Sequence, residues 1–332
     1  MSLLVHQIGP ACTIQDQGRS GYLDQGLSRS GAADQLALHE GAALLGQSPD
    51  CAALEMAGMG GTFEATHAVS IALTGAPMQA SIDGVPIVWN ASFSVEAGQK
   101  LTIGAANQGN YGYLHVGGGF EVPLFLGSRS AHLTANVGRA VQAGDRLPVG
   151  PYSGNTGMKL RPDDRFSGGT LRVLASFQTP LFDLETLDRF TETAFRRGAR
   201  ANRMGMQLEN DGEGFAAKGQ LNILSDVITP GDIQMTGTGN PFILLPECQT
   251  TGGYPRIATV LPCDLPRAAQ TPAGGQIKFT FVFMDEAVAL HATYLSDLSR
   301  LRARVEPLVR DPHDIPDLLS YQLISGMISG TE

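Results

Sequence analysis

The chain has 332 residues, 42% of them hydrophobic and 17% charged, with a formal net charge of −9. This composition excludes an intrinsically disordered chain, and the lack of a basic stripe in a sequence with only four lysines excludes a nucleic-acid-binding surface. The 41 glycines exceed the roughly 7% of an average protein and follow no period of three residues, so they indicate tight turns between short strands rather than collagen.

The first predicted elements are a helix and a hairpin. Ser30 is expected to cap the helix, with Asp34 in its first turn and Gly46 at its end. Residues 78–89 form two apolar runs around Asp83-Gly84, and that dipeptide supplies the positive φ values of a two-residue hairpin turn. The apolar stripe of the helix consists of Ala33, Leu36, Ala37, Leu44 and Leu45.

One pattern occurs in both halves of the chain, a glycine-centred turn that leads into an alternating strand. It is found at residues 96–104, 142–150, 229–237 and 272–282. Because the same device is repeated, we predict a mainly β fold with a few helices and two related β-barrels or sandwiches. The longest helix is predicted from Asp285 to Val305.

The boundary between the halves is predicted at residues 151–169, which are rich in Gly and Pro and have no periodicity. A length near 330 residues favours two globular units. We therefore predict a first subdomain at 1–150, a linker at 151–169, a second subdomain at 170–287 and a helical C-terminal extension at 288–332.

Several common catalytic and cofactor motifs are absent from the sequence. It has no GxxxxGK[ST] phosphate loop and no GxGxxG between a predicted strand and helix. Residues 115–119, HVGGG, resemble an esterase oxyanion loop, but no GxSxG nucleophile elbow accompanies them, so a β-strand that ends in a glycine turn is the better interpretation. The seven histidines never have HxH or HExxH spacing, and the four cysteines are too sparse for a zinc site. No metal site is predicted.

The N-terminal sequence MSLLVHQIGP has neither a basic region nor a long apolar segment, so no secretory signal is predicted. No window approaches 18 apolar residues, which argues against a membrane span. We therefore expect a cytoplasmic protein without a membrane partner.

Four clusters combine polar side chains with glycines in a chain that is otherwise poor in charge. Arginine forks, amides, hydroxyls and backbone N–H groups in such segments suit a carboxylate, ureido, lactam or phosphate group. A local role, such as a pairing of Asp16 with Arg19, is the alternative for each single residue. The clusters are residues 15–21 with 28–34, residues 127–130 with 138–139 and 144–145, residues 201–205, and residues 249–255.

These clusters carry a resemblance to a known family. In chain order, the segments IQDQGRSGY, SGAADQLALHEGAALLG, CAALEM, ALTGA, GSRS, NRMG, DIQ and QTTGGYPRIATV resemble the biotin-dependent carboxyltransferase family. That family is also known as allophanate hydrolase subunit 2, the Kip antagonist protein and the C subunit of 5-oxoprolinase. The resemblance runs from about residue 8 to 287 and implies two cyclophilin-like β-barrel subdomains.

The resemblance implies three alternative functions. In the first, the chain is a subunit of an ATP-dependent 5-oxoprolinase, which opens a lactam ring to give glutamate. In the second, it is half of a carboxyltransferase that moves CO₂ from carboxybiotin to urea or a related amide. In the third, it is a non-enzymatic regulator that binds a kinase-inhibitor protein. The length favours the first, because a biotin carboxylase and a biotinyl-lysine motif do not fit into 332 residues.

The first function implies partners and cofactors beyond this chain. The expected partners are a second carboxyltransferase-like subunit of the allophanate hydrolase subunit 1 or Kip inhibitor type, a lactam-utilisation-type hydrolase subunit, and a small amide or lactam substrate. ATP is used by the complex, with its site on this chain or on a partner. In the second function, biotin is carried by a separate protein.

We predict that the four clusters form one pocket, in which no residue is assigned as catalytic. Arg129 would anchor an anion with the bidentate geometry that Lys cannot copy, and Arg19, Arg203 and the loop 249–254 would converge on it. Local ion pairs of Arg129 and Arg203 with Asp or Glu are the alternative. The candidate substrate-binding residues are Asp16, Arg19, Ser28, Asp34, Arg129, Ser130, Arg139, Asn202, Arg203, Gln249, Thr250, Thr251, Gly252, Gly253 and Tyr254.

Overall fold

A computed structural model describes residues 1–309 except 216 and 218–223. The predicted C-terminal extension therefore lies outside the described residues from position 310 onwards. Among the described helices, none is long and apolar enough to cross a membrane.

The first half of the chain folds into two antiparallel sheets that enclose one core. The strands are β1 (Ser2–Ile8), β2 (Thr13–Gln15), β3 (Ala53–Ala57), β4 (Gly61–Ala65), β5 (Val69–Gly75), β6 (Met78–Ile82), β7 (Val85–Ile87), β8 (Ala91–Val95), β9 (Lys100–Ala106), β10 (Tyr111–Val116), β11 (Arg146–Pro148), β12 (Met158–Lys159) and, from the far end of the chain, β22 (Glu306–Pro307). The first sheet has the order β11-β1-β4-β9-β6-β7 and the second the order β2-β3-β10-β5-β8-β12-β22. Leu3 and Phe63 of the first sheet pack with Leu54, Ile71 and Leu114 of the second.

The second half contains a seven-stranded closed barrel. Its strands are β13 (Gly168–Leu174), β14 (Phe195–Asn202), β15 (Gly205–Glu209), β17 (Asp232–Met235), β18 (Pro241–Leu244), β20 (Arg256–Val260) and β21 (Gln276–Phe281), and a separate ribbon pairs β16 (Asp226–Val227) with β19 (Thr251–Gly252). The barrel order is β13-β20-β17-β18-β15-β14-β21. Phe190 belongs to the core of this half and stacks on Phe279 with ring centroids 4.7 Å apart. The mainly β fold with a barrel is thereby confirmed.

Four α-helices accompany the strands in the described part of the chain: α1 (Gln35–Leu45), α2 (Leu184–Glu192), α3 (Leu265–Gln270) and α4 (Met284–Arg300). Short 3-10 turns occupy Leu23–Gln25, Leu133–Ala135, Thr179–Leu181 and Leu301–Arg304. The helix predicted from Asp285 to Val305 is present as α4 and the turn that follows it.

The repeated glycine turns each lead into a strand, as predicted. The turns at 96–104, 142–150, 229–237 and 272–282 precede β9, β11, β17 and β21, and each contains a glycine with φ between 80° and 98°. Side chains other than glycine rarely adopt this left-handed conformation. The predicted hairpin is also confirmed, because Asp83 and Gly84 join β6 to β7 with φ values of 49° and 81°.

The helix predicted after residue 30 begins later than expected. The N-cap of α1 is Asp34, whose carboxylate accepts a hydrogen bond from the Ala37 amide at 3.2 Å. The prediction of Ser30 as the cap was wrong, because its hydroxyl donates instead to the Ala131 carbonyl at 2.6 Å. Gly46 ends the helix with φ 65°, as predicted.

The segment 151–169, predicted to be a linker, contributes β12 to the second sheet and a buried arginine to the packing of the two halves. Arg165 donates to the Asp34 carboxylate at 2.7 Å and to the Glu40 carboxylate at 2.6 Å. Gln270 of α3 reaches the same Asp34 carboxylate at 2.8 Å. Asp34 therefore joins α1, the linker and the barrel side of the molecule, and the exact subdomain boundaries stay a prediction.

Candidate functional site

Arg203 lies between β14 and β15 and connects the two halves through buried carboxylates. Its Nε donates to Glu247 at 2.6 Å, its Nη1 forms an ion pair with Glu55, and its Nη2 donates to the Gly31 carbonyl at 2.6 Å. Burial lowers the pKa of Arg203, but the charges of Glu55 and Glu247 outweigh it and raise the pKa above its ordinary value. Each nitrogen of the guanidinium therefore bonds to a neighbouring group. We call Arg203, Glu55, Glu247 and Gly31, with Ser28 and His132, the seam network.

His132 extends the seam network from Glu247 to Ser28. Its Nε2 lies 2.8 Å from the Ser28 hydroxyl, and its Nδ1 lies 3.7 Å from the Glu247 carboxylate. The Ala135 amide lies 3.3 Å from Nδ1. All three side chains are buried, so the row of Ser, His and Glu supports the contact between the two halves and is closed to a substrate.

Asp16 fixes the segment that carries Arg129. Its carboxylate accepts hydrogen bonds from the Ser128 and Ser130 hydroxyls at 2.6 and 2.5 Å and from the Arg129 amide at 2.6 Å. Burial raises the pKa of Asp16, but these hydrogen bonds outweigh it and leave the pKa below its ordinary value. Arg19 holds the same segment from the other side, because its Nη2 donates to the Ser130 carbonyl. Asp16, Arg19 and Ser130 therefore position Arg129.

The Arg129 cavity is the space lined by this segment. It has a volume of about 620 Å³, and its walls are mostly apolar side chains with Arg129 and Arg139 among them. Arg129 Nη1 donates to the Val122 carbonyl, and the guanidinium has no ion pair within 4.0 Å among the described residues. Arg139 differs, because it makes a bidentate pair with Asp145 at 2.7 and 2.8 Å. Arg129 is thus the cation available to an anionic ligand here.

A second space, the seam cavity, is lined in part by Leu133 and Thr134. It has a volume of about 390 Å³ and is lined by residues of both halves, including Tyr111, Arg197, Asn202 and Arg203. Arg197 Nε is buried without a hydrogen-bond partner in the described part of the chain. Asn202 has a local role, since its side-chain oxygen accepts from the Met204 amide at 2.8 Å.

The loop 249–254 pairs with the ribbon strand β16. Its residues Thr251–Gly252 form β19, and the Thr250 carbonyl accepts from the Ile228 amide at 3.0 Å. A Cβ at Gly252 would lie 2.5 Å from Gln234 Nε2, so a larger residue at this position would require the Gln234 side chain of β17 to move. The exposed residues of the loop are Gln249, Thr251, Gly253 and Tyr254.

The structure brings some of the predicted site residues together and separates others. Five of them lie in or beside the seam network: Asp16, Arg19, Ser28, Ser130 and Arg203. The Arg129 cavity and the seam cavity share no lining residue. The prediction of a single pocket that holds both Arg129 and Arg203 was therefore wrong. The predicted alternative of local ion pairs holds for Arg203 and not for Arg129. The binding role of the candidate residues stays a prediction.

Sequence reasoning missed Glu55, His132, Glu247, Arg165 and Arg197. Glu55 lies in the segment CAALEM, which carries the family resemblance but does not indicate a role for this residue. The other four lie outside the quoted segments, and the contacts are distant in the sequence, such as the 148 positions between Arg203 and Glu55. The one usable signal was compositional, because buried arginines in a chain poor in charge require carboxylates. Among the described residues, no group of three or more His, Cys, Asp or Glu could hold a metal ion.

Comparison with protein families matches residues 25–281 to the carboxyltransferase domain, subdomain A and B. The chain is 32% identical to the C subunit of 5-oxoprolinase from Escherichia coli (strain K12), over 86% of this chain and 93% of that protein. It is 34% identical to the corresponding 5-oxoprolinase protein of Haemophilus influenzae, over 87% of this chain and 95% of that protein.

Two solved structures have the same fold. TTHA0988 is 31% identical with a TM-score of 0.75, over 84% of this chain. The urea amidolyase of Kluyveromyces lactis is 22% identical with a TM-score of 0.81, over 94% of this chain. The chain spans 55% of the first solved chain and 21% of the second. The likeness to the yeast enzyme therefore concerns the fold of one part of a much longer protein.

Proposed function

The chain belongs to the family of the carboxyltransferase domain, subdomain A and B, and we propose that it is a subunit of a 5-oxoprolinase-type complex that converts 5-oxoproline to glutamate with ATP. The observation that carries the proposal is the alignment with two 5-oxoprolinase C subunits along 93% and 95% of their lengths. A chain of this size matches those proteins over nearly their whole length. We place the complex in the cytoplasm.

The Arg129 cavity supports a role in substrate binding. A lactam acid has a carboxylate, and a guanidinium without another ion pair can hold it with two parallel hydrogen bonds. The Val122 carbonyl and the Asp16 carboxylate fix the position of Arg129 from both sides. The apolar walls of the cavity suit the methylene groups of the ring.

The chemistry requires groups that this chain does not supply by itself. Amide resonance makes a lactam carbonyl a poor electrophile, so the carbonyl must be activated before the ring opens, and ATP supplies that activation. The sequence has no phosphate loop, and the Ser28 hydroxyl beside His132 is buried. We therefore assign nucleotide binding and the nucleophile to partner subunits, a second carboxyltransferase-like subunit and a lactam-utilisation-type hydrolase subunit.

The rim of the Arg129 cavity supports the presence of a partner. Leu124 and Phe125 line the cavity and are 61% and 50% exposed. Large exposed apolar side chains beside a cavity are typical of protein–protein interfaces. We assign this rim to the second carboxyltransferase-like subunit, which would bury it and complete the active site.

A second candidate function is a carboxyltransferase half-site that acts with urea and a biotin carrier. It is favoured by the fold, since 94% of this chain superposes on part of a urea amidolyase. In that case carboxybiotin would come from a separate protein, and donors in the Arg129 cavity would stabilise the developing ureido oxyanion.

Affinity purification of the tagged full-length chain from its own cells separates the candidates. A lactam-utilisation-type hydrolase subunit in stoichiometric amount supports the 5-oxoprolinase complex. A biotinylated protein supports the carboxyltransferase, and a kinase inhibitor as sole partner supports a regulator. The isolated chain is expected to have negligible lactamase or carboxyltransferase activity, and turnover by the purified chain alone would contradict the need for partners.

A further inference from the structure

A third space, the α4 cavity, lies between α1, α3 and α4 and has a volume of about 230 Å³. None of its lining residues belongs to the Arg129 cavity or to the seam cavity. Its outer wall is α4, which begins at Met284, beyond residue 281 where the family match ends. The cavity is therefore separate from the site described above and is completed by a helix outside the matched family region.

Two residues of the α4 cavity contain buried polar atoms that lack a hydrogen-bond partner among the described residues. They are Gln35 on α1 and His291 on α4, and the atoms are Oε1 and Nδ1 respectively. The orientation of the Gln35 amide is set by its Nε2, which donates to the Ala32 carbonyl at 3.0 Å. Buried polar groups in folded proteins are nearly always paired. Two unpaired atoms in the lining of one cavity therefore need partners that the described residues do not supply, and a ligand in the cavity can supply them.

The charge of the lining indicates an anionic ligand. Of the described residues that line the cavity, Arg29 has the only permanent charge, and no Asp or Glu is among them. Arg29 Nε donates to the Gln17 carbonyl at 2.7 Å, and its guanidinium has no ion pair within 4.0 Å in the described part of the chain. Burial lowers the pKa of His39, which disfavours the charged form of that imidazole.

The remaining walls limit the size and shape of the ligand. They consist of prolines and leucines, such as Pro246, Pro266 and Leu265, together with the Tyr294 ring. A volume of about 230 Å³ equals that of about seven to eight liquid water molecules. This space admits a compact, partly apolar molecule and is smaller than a cavity for a drug-sized ligand or a nucleotide.

We propose that the α4 cavity binds a small carboxylic acid that also carries an amide or lactam N–H. The carboxylate pairs with Arg29, and the N–H donates to Gln35 Oε1. The amide carbonyl accepts a hydrogen bond from the Nδ1–H of a neutral His291 ring. The apolar part of the ligand packs against the prolines and leucines. This inference stands on the lining of the cavity and does not depend on the proposed function.

Equilibrium binding to the full-length chain tests the proposal, with 5-oxoproline as the probe. Two truncated probes report on the two ends of the ligand, 2-pyrrolidinone without the carboxylate and cyclopentanecarboxylate without the amide. We expect saturable binding of 5-oxoproline and at least tenfold weaker binding of both truncated probes. Each of the variants Arg29→Gln, Gln35→Leu and His291→Leu should weaken binding about tenfold or more, the effect of one lost hydrogen bond to a charged or buried group.

Matched controls locate the binding site. Thr293→Leu lies on the exposed side of the same helix and should leave the affinity unchanged. Arg129→Lys weakens only the proposed substrate site, so saturable binding that persists in this variant and is weakened by the three cavity substitutions belongs to the α4 cavity. Should Gln35→Leu fail to fold, His291→Leu on the peripheral helix α4 still gives the answer. The proposal is overturned by a lack of saturable binding, by binding that the three cavity variants do not weaken, or by a loss of all saturable binding in Arg129→Lys.

Discussion

The seam network predicts that Arg203 is essential for stability. Arg203→Met keeps most of the length of the side chain but leaves Glu55 and Glu247 buried without their common cation. Removal of one partner from a buried ion pair costs about 3–5 kcal/mol, because the remaining charge stays in a poorly solvating environment. Two carboxylates lose their cation here, so we expect a loss of stability in the upper part of that range.

Urea denaturation followed by tryptophan fluorescence and circular dichroism measures this loss as a lower midpoint with an unchanged slope. The melting temperature should fall by roughly 10 °C or more, at about 2–4 °C per kcal/mol for larger domains. Arg304→Ala is the matched control, because Arg304 and Asp297 form a pair that is about half exposed on both sides. Such pairs contribute about 0–1 kcal/mol.

The physical cause can be separated from a simple packing defect. Glu55→Gln and Glu247→Gln, combined with Arg203→Met, remove the orphaned charges and should restore at least half of the lost stability. A loss below about 1 kcal/mol in Arg203→Met, or a loss that the two neutral replacements do not reduce, would refute the argument that charge burial governs the seam.

Three further predictions concern single side chains. Gly41→Ala in α1 should destabilise the protein by about 1–3 kcal/mol, because the new Cβ would overlap the His115 ring and overpack the core. Alanine normally stabilises a helix interior, so a higher unfolding midpoint would contradict this prediction. Burial lowers the pKa of His115 from 6.5 to about 3, so below pH 6.5 the unfolded chain binds one more proton and the free energy of unfolding falls by about 1.4 kcal/mol per pH unit. Urea titrations at pH 7.5 and 5.5 should show a smaller loss of stability in His115→Gln than in the native chain. An equal loss of stability in both proteins would contradict this. Arg129→Lys should lower the activity of the reconstituted complex by roughly 10- to 100-fold, the effect of about 1.5–3 kcal/mol from a charge-assisted hydrogen bond. Its melting temperature should stay close to that of the native chain. A large loss of stability with unchanged activity per folded molecule would instead assign Arg129 a structural role.

The parts of the fold that were predictable from the sequence are local. A glycine turn and the strand that follows it lie within about ten residues, so the φ requirement of Gly98 or Gly231 is visible in the sequence itself. The Asp83-Gly84 hairpin is predictable for the same reason. The helix cap was not, because Ser30 and Asp34 are equally suitable caps, and the choice depends on Ala131, which accepts the Ser30 hydroxyl from 101 positions away.

The candidate site was predictable in its residue types and not in its connections. Arg203 and Arg129 both lie in polar, glycine-bearing segments, yet one is buried between two carboxylates and the other has no ion pair with a described residue. The difference depends on Glu55 and Glu247, which come from opposite halves of the chain. His132 illustrates the same limit, because its partner Ser28 lies 104 positions away.

The most direct measurement is the formation of glutamate from 5-oxoproline and ATP by the complex, assembled from purified subunits with and without this chain. We predict ATP-dependent glutamate formation that disappears when the chain is omitted and returns when it is added back. Equal turnover without the chain would contradict the proposed function, as would a complex that carboxylates urea with a biotinylated carrier and leaves 5-oxoproline unchanged.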